Sequence, residues 1–216
     1  MKTGVLASGG GTNLQSLIDH WQKGTLRPAE LVVVGANVAG CGALDRAAQA
    51  RIPTFVLPHK SFASREDFDR ALVGELRGRG VELVVLAGFM RVLTPIFLDA
   101  FPHRVVNIHP ALLPSFPGVH AQKQALDYGV KLSGCTVHFV DAGTDTGPII
   151  AQAAVPVHDD DTEATLSARI LACEHQIFVK VLTWLSEGRI EMIAGQSGSR
   201  PRVVIKGAAG ACLENH

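Results

Sequence analysis

The chain has 216 residues, 47% of them hydrophobic, with 20 Lys+Arg against 20 Asp+Glu. That length suits one α/β domain or at most two small ones. The zero formal net charge argues against a nucleic-acid binder, which carries a basic excess or stripe. The cysteines Cys41, Cys135, Cys173 and Cys212 stand far apart, with no Cys-x-x-Cys pair. This is the usage of a reduced, cytoplasmic chain without a zinc site or disulfide framework. No signal peptide precedes the first strand, and no apolar run is long enough to span a bilayer.

Gly4 to Ala7 reads as a first strand. Ser8-Gly9-Gly10-Gly11-Thr12-Asn13 follows, then Leu14, Leu17, Ile18 and Trp21 at helical spacing. Strand, glycine loop and helix make an anion cradle: glycines let the backbone approach a phosphate, and helix N-terminal N–H groups point at it. Thr12 and Asn13 add side-chain donors and are placed to cap the helix. The loop is neither a P-loop nor Gly-x-Gly-x-x-Gly, since Leu14 stands where the third glycine belongs. A tight turn is the plain alternative.

Leu31 to Ala36 is a second apolar strand, Ala43 to Arg51 a helix, and Pro53 to Leu57 a short third strand. His59 falls in the next loop and reads as solvated. Ser64 to Arg79 is an amphipathic helix with Ser64 as N-cap, Asp67 three residues on, and Phe68, Leu72 and Leu76 on the buried face. Arg65, in its first turn, opposes the helix dipole and is either a ligand contact or a solvated cation. Glu82 to Ala87 is a core strand. It ends in Gly88-Phe89-Met90-Arg91-Val92-Leu93, which either faces a flat aromatic ligand or packs in the core. Thr94-Pro95 starts a short helix.

Arg104 to Ile108 is a strand that presents Asn107 and His109 on the same side, because alternate strand side chains share a face. Pro110 ends it. The Pro-rich loop from Ala111 to Gly118 is stiff enough to wall a pocket. An amide donates to an oxyanion, and an imidazole moves a proton near neutral pH. His120 to Tyr128 is a helix closed by Gly129. Gly134 to Val140 is a strand with Thr136 and His138 on one face. The loop Asp141 to Gly147 carries two carboxylates, and Pro148 to Val157 returns as an antiparallel partner. Asp159-Asp160-Asp161-Thr162 reads as solvated capping of a long helix to Ser186, in which Glu174 sits partly buried. Arg189 to Ile193 is a last strand. Val203 to Ile205 is a short edge strand in an otherwise mobile tail. The fold class expected is α/β: a doubly wound, mostly parallel sheet with helices on both faces and an antiparallel edge hairpin.

Taken together, Leu6 to Gln15, Val85 to Arg91, Asn107-Ile108-His109-Pro110 with Leu112-Leu113-Pro114, Val137 to Val140, and Asp145-x-Gly-Pro148 resemble the folate-dependent phosphoribosylglycinamide formyltransferase family, from about Val5 to about Met192. Asn-x-His-Pro alone marks only the wider superfamily. The resemblance implies transfer of the formyl group of 10-formyltetrahydrofolate, a co-substrate, to the amino group of 5-phosphoribosylglycinamide, with no metal. It implies a catalytic set of Asn107, His109 and Asp145. Gly11, Thr12 and Asn13 match the phosphate loop, and Glu174 matches a contact to the glycinamide. The folate site matches Arg65, Met90, Arg91, Val92, Leu93, Asn107, Val140, Asp141, Ala142, Gly143, Thr144 and Asp145. Gly10 and Thr12 stand where relatives often have Asn and Ser, which keeps the backbone donors and a hydroxyl. Residues 1–194 are then a formyltransferase domain with an N-terminal phosphate-binding half and a C-terminal folate-binding half, and 195–216 a tail without a matching motif.

The mechanism expected is direct attack of the amine on the formyl carbon. Asn107 and His109 stabilise the oxyanion. Asp145 orients His109 and raises its pKa, and Thr136 helps to hold a water for proton transfer. Small molecules are the expected partners, with no nucleic acid and no membrane, and homo-oligomerisation is left open. Methionyl-tRNA formyltransferase is disfavoured because it carries a further C-terminal domain, and a formyltetrahydrofolate hydrolase because it carries an N-terminal regulatory one. A nucleotide-binding oxidoreductase is disfavoured by the missing third glycine. A non-catalytic folate-binding module would not need Asn107, His109 and Asp145 together.

Overall fold

In the computed structural model the chain divides into two units, Met1–Asn107 and Ile108–His216; residues 1–195 and 200–207 are described. The first unit carries the strands β1 (Lys2–Ala7), β2 (Glu30–Ala36), β3 (Thr54–Val56) and β4 (Leu83–Leu86), and ends in β5 (Val105–His109). They lie in the order β3-β2-β1-β4-β5, and every neighbouring pair is parallel. β1, β2 and β4 are buried along nearly their whole length, as a parallel sheet covered on both faces requires. The helices are α1 (Thr12–Gln22), α2 (Gly42–Gln49), α3 (Arg65–Gly78) and α4 (Pro95–Ala100). α1 packs on α2, and α3 on α4.

The strand order reverses at β1, which pairs with β2 on one side and β4 on the other. Right-handed crossovers then send the first two helices to one face and the next two to the other. The reversal opens a crevice at the carboxyl ends of β1 and β4, where open α/β sheets take ligands. The glycine loop follows β1, and Gly88 to Leu93 follows β4.

Local signals account for most helix ends. Ser64 Oγ accepts the Asp67 N–H at 3.0 Å and donates to its carboxylate at 2.7 Å. Phe68, Leu72 and Leu76 are buried as expected, and so is Asp69. The start of α1 departs from expectation. Thr12 and Asn13 do not cap it; the N-cap is Gly11 at φ 73°, with no side-chain cap bond. His59 is not simply solvated either. It begins a 3-10 turn, His59–Ser61, is half-buried, and meets the Asn37 amide at 3.2 Å.

The second unit holds α5 (Ala121–Tyr128), closed by Gly129 at φ 81°. β6 (Leu132–Phe139) and β7 (Ile149–Pro156) pair antiparallel, with a register shift at Val137/His138. α6 (Glu163–Ser186) packs on both strands. Thr162 caps it through a capping box with Thr165. The acidic run before it is taken up in capping and ion pairs. Arg169 grips both oxygens of Asp161 at 2.6 and 2.8 Å and holds its carboxyl well below the usual range, and Asp159 pairs with Lys131. β8 (Ile190–Ile193) pairs antiparallel with β9 (Arg202–Ile205) as a separate two-stranded sheet. The expectation of a mobile tail, from 208 onward and at 196–199, lies outside the described residues, as does Cys212. Cys41, Cys135 and Cys173 are buried, and none of the three is in a disulfide. The fold class is the expected α/β, with a mostly parallel sheet and an antiparallel hairpin. Among the described residues no helix is long and apolar enough to cross a membrane.

Candidate active site

At the end of β1 the backbone must turn sharply into α1, and Gly11 makes the turn. Its φ is +73°, and a Cβ there would lie 2.8 Å from the Ala43 Cα, so a side chain is refused on both counts. The first N–H groups of any α-helix have no carbonyl four residues back. Here they open beside exposed Thr12 and half-buried Asn13, with no acidic residue in the first turn. The loop is braced from α2. Ala43 N–H donates to Gly9 O at 3.1 Å. Arg46 donates from Nε to Gly10 O at 2.8 Å and from Nη1 to Gln15 Oε1 at 3.0 Å. This is a preformed, electropositive cradle of the kind that takes phosphate.

The segment after β4 alternates between core and solvent. Phe89 and Leu93 are buried, whereas Met90 and Val92 are 69% and 50% exposed. Core packing therefore holds for Phe89 and Leu93, while Met90 and Val92 face outward. Met90 N–H donates to Ser8 Oγ at 2.9 Å, which joins the segment to the start of the glycine loop. Arg91 lies over the Phe68 ring, 5.9 Å from its centroid. Arg65 is exposed in the first turn of α3.

β5 carries half-buried Asn107 and buried His109 two residues apart, hence on one side of the strand. A carbonyl only accepts, so His109 Nε2, 2.8 Å from Phe116 O, carries a hydrogen. Its Nδ1 lies 3.3 Å from Asp145 Oδ2. Asp145 also accepts Gly118 N–H on Oδ2 at 2.8 Å, and its Oδ1 faces His138 Nε2 at 3.6 Å. His138 Nδ1 in turn donates to Phe139 O at 2.8 Å. One carboxylate thus stands before two imidazoles, each held from its far side by a backbone carbonyl. Gly147 permits this closure, since a Cβ there would lie 1.7 Å from Phe139 O.

The electrostatics correct one expectation. Burial pushes the His109 pKa down. The Asp145 charge and the Phe116 carbonyl pull it up, the His138 charge pushes it down further, and the net shift is downward. Asp145 therefore acts in the expected sense but does not win. On Asp145 itself burial pushes the pKa up. Hydrogen bonds from His138 and Gly118, with the charges of both histidines, outweigh that and hold it below the usual carboxylate range.

Thr136 corrects another. Its buried hydroxyl donates to Ala111 O at 2.7 Å and accepts from Leu113 N–H and Gln152 Nε2, each at 3.0 Å. One donor and two lone pairs are all used, so Thr136 pins the Pro-rich loop and does not hold a water. The loop 141–144 is exposed, with Val140 half-buried before it. Asp141 organises the loop by accepting from Gly143 N–H at 3.1 Å and Thr146 Oγ1 at 2.6 Å. Glu174 is buried on α6, and its charge helps burial to raise the Cys135 pKa.

The family model described as formyl transferase matches residues 1–182. The chain belongs to the formyl transferase family. It is 51% identical over 188 residues to the trifunctional purine biosynthetic protein adenosine-3 of Drosophila melanogaster, which covers 87% of this chain but 14% of that protein. The chain thus spans about a seventh of that relative's length. It is 44% identical over 192 residues to the phosphoribosylglycinamide formyltransferase of Escherichia coli (strain K12), covering 87% of this chain and 88% of that one. Among solved structures, glycinamide ribonucleotide transformylase 1 from Symbiobacterium toebii superposes with a TM-score of 0.90 at 47% identity, over 95% of this chain and 93% of that one.

Within this formyl transferase chain the expected pair His109 and Asp145 stands 3.3 Å apart, and three polar groups given no role in the sequence hold that pair or the glycine loop. His138 was placed on a strand face without a partner, and only its alternation with Thr136 hinted at an inward direction. Arg46 reads as a surface cation of an amphipathic helix. Asn37, buried at the end of β2, accepts from Ser8 Oγ at 2.6 Å. Its position at a strand's carboxyl end was the available signal.

Proposed function

We propose that this chain transfers the formyl group of 10-formyltetrahydrofolate to the amino group of 5-phosphoribosylglycinamide, as a cytoplasmic step of purine biosynthesis. The reading rests on family membership together with one observation: a half-buried carboxylate facing buried His109, two residues along the strand from the amide-bearing Asn107. Gly11, Thr12 and Asn13 take the substrate phosphate, and Glu174 the glycinamide. Arg65, the segment Met90-Arg91-Val92-Leu93 and the loop from Val140 to Asp145 take the folate. Residues 1–194 serve as the transferase domain.

The substrate amine attacks the formyl carbon and forms the new C–N bond, while the carbonyl oxygen becomes an oxyanion that Asn107 stabilises by donating its amide N–H. His109 starts neutral, because burial lowers its pKa, and accepts the proton that the attacking nitrogen sheds. Asp145 stabilises the imidazolium formed. The proton then passes to the folate nitrogen as its bond to the formyl carbon breaks, so the amine ends formylated and the folate deformylated. General acid–base help of this kind contributes about 10²- to 10⁴-fold.

The test is to incubate the protein with 10-formyltetrahydrofolate, with and without 5-phosphoribosylglycinamide, and follow deformylated folate. Turnover only with the glycinamide is expected. Turnover without it would make the chain a hydrolase, and folate binding without turnover would make it a binding module.

A further inference from the structure

The two exposed apolar side chains of the proposed folate segment, Met90 and Val92, sit on a backbone that is fastened at both ends by side chains outside it, half-buried Ser8 and buried Asp69. At the near end Met90 N–H donates to Ser8 Oγ at 2.9 Å. Ser8 is itself oriented. Its hydroxyl donates to Asn37 Oδ1 at 2.6 Å, which leaves the oxygen lone pairs for Met90. Asn37 Nδ2 is a donor only, so it donates to His59 Nδ1 at 3.2 Å. Every member of the relay His59, Asn37, Ser8, Met90 thus has one assigned direction. Ser8 N–H closes the junction by donating to Gly88 O at 3.0 Å.

At the far end Thr94 N–H donates to Asp69 Oδ2 at 2.6 Å. Asp69 is 1% exposed on α3, in a place where a carboxylate is costly unless it has work to do. Burial pushes its pKa up, while its bonds to Thr94 and the charges of Arg91 and Arg65 hold it down; the net shift is upward. Thr94 is the N-cap of α4 and makes no side-chain cap bond, so the Asp69 carboxylate takes up the backbone donor at that helix start and lies close to its positive end. Between these two anchors Leu93 and Phe89 plug into the core, and Met90 and Val92 are left facing outward.

We propose that Ser8 and Asp69 are positioning residues for formyl-folate: they fix the backbone of Met90 to Leu93 in the shape that receives the flat ring of the co-substrate. Ser8 does this from the start of the glycine loop, whose own turn is braced separately by Ala43 and Arg46. The inference rests on the proposed formyl-transfer reading. Neither residue touches the reacting atoms, so neither is catalytic.

The test is steady-state formyl transfer by the full chain, with KM measured separately for 10-formyltetrahydrofolate and for 5-phosphoribosylglycinamide. A net hydrogen bond of this kind is worth about a two- to tenfold effect. Ser8→Ala and Asp69→Leu are each expected to raise the folate KM by about five- to tenfold, with kcat and the glycinamide KM within about twofold of the parent. Ser8→Thr and Asp69→Asn keep an acceptor for the same N–H and are expected to restore the folate KM. An unchanged folate KM in Ser8→Ala overturns the proposal. An equal rise in both KM values, or a fall in kcat that the conservative variants fail to rescue, overturns it as well, because that is the signature of general loosening. If Asp69→Leu does not fold, Ser8→Ala with Ser8→Thr decides. A parent chain that binds folate but transfers no formyl group refutes the underlying function, and folate affinity in the same variants then still reads the positioning.

Discussion

Replacing Asp145 with Asn is the sharpest perturbation of the site, because it removes a charge and almost nothing else. The carboxylate faces Gly118 N–H at 2.8 Å, His109 Nδ1 at 3.3 Å and His138 Nε2 at 3.6 Å. An Asn oxygen can still accept from Gly118, so the fold of the loop is retained. What is lost is the buried ion pair that forms when His109 takes its proton. With the side chains only 5% and 13% exposed, water screens little of that loss. Breaking one partner of a buried pair costs about 3–5 kcal/mol, and at about 1.4 kcal/mol per decade the rate falls by about 10²- to 10⁴-fold. The charge of Asp145 also pulls the His109 pKa up against burial, so in Asp145→Asn that pKa moves further down. Activity that needs a neutral His109 declines as pH falls through its pKa, below about 6.5. The acid limb of the variant is therefore expected at lower pH than that of the parent, beneath a much lower plateau. The assay is a kcat profile from pH 5 to 8 with NMR titration of the His109 ring. A kcat within tenfold of the parent, or a His109 pKa that rises in the variant, would refute the reasoning.

Three further outcomes follow from the same geometry. Gly11→Ala puts a Cβ at a φ of +73° and 2.8 Å from Ala43 Cα, a backbone strain of about 1–2 kcal/mol before the clash; the KM for 5-phosphoribosylglycinamide is expected to rise more than tenfold with little change in that for the folate. Thr136→Val leaves Leu113 N–H buried without the hydroxyl it bonds, which costs about 1–3 kcal/mol, read as a lower urea midpoint at unchanged slope. For stability against pH, His109 has a folded pKa below its ordinary value, so its contribution is full above about pH 6.5 and is lost as pH falls through the folded value; His109→Asn is expected to flatten that part of the decline. Asp69 has the opposite sign: its folded pKa is raised, so its contribution is full below about pH 3.8 and lost as pH rises through the folded value. Asp69→Asn is therefore expected to match or exceed the parent's urea midpoint at pH 7, and a clear drop would count against the ionised, desolvated carboxylate.

What the sequence disclosed were features that local rules control. Alternation placed Asn107 and His109 on one side of β5, Ser64 with Asp67 marked the start of α3, and Gly129 closed α5. Near-continuous apolar runs marked the parallel strands. What it concealed were outcomes of competition between a local rule and a tertiary one. Thr12 and Asn13 are good capping residues, but the left-handed Gly11 already starts the helix. Asp145 does raise the pKa of His109, yet whether it wins depends on how deeply the ring is buried, and periodicity does not report that. The Thr136 hydroxyl was placed correctly but is consumed by Ala111, Leu113 and Gln152, two of which lie more than twenty residues away. Asp69 reads as the polar face of a helix, because its partner is a backbone N–H 25 residues further on.

The groups that hold the His109–Asp145 pair are largely backbone groups, and part of the backbone around them is strained. Phe116, whose carbonyl accepts from His109, has φ +55°. Asp145 has φ +54°, and Gly118, whose N–H donates to Asp145, has φ +81°. A left-handed conformation at a non-glycine residue costs on the order of 1–2 kcal/mol, and such outliers persist only where the surroundings over-determine them. Here they do. Thr136 and Gln152 clamp the Pro-rich loop from β6 and β7, and the register shift at Val137/His138 sets the imidazole of His138 against the same carboxylate. Side-chain identity at 116 therefore matters less to the chemistry than the direction of its carbonyl. That carbonyl keeps a hydrogen on His109 Nε2 and leaves Nδ1 as the nitrogen that faces Asp145. Burial dominates the proton affinity of His109 and the loop carbonyl works against it, so a change that relaxed the loop would alter His109 without touching it.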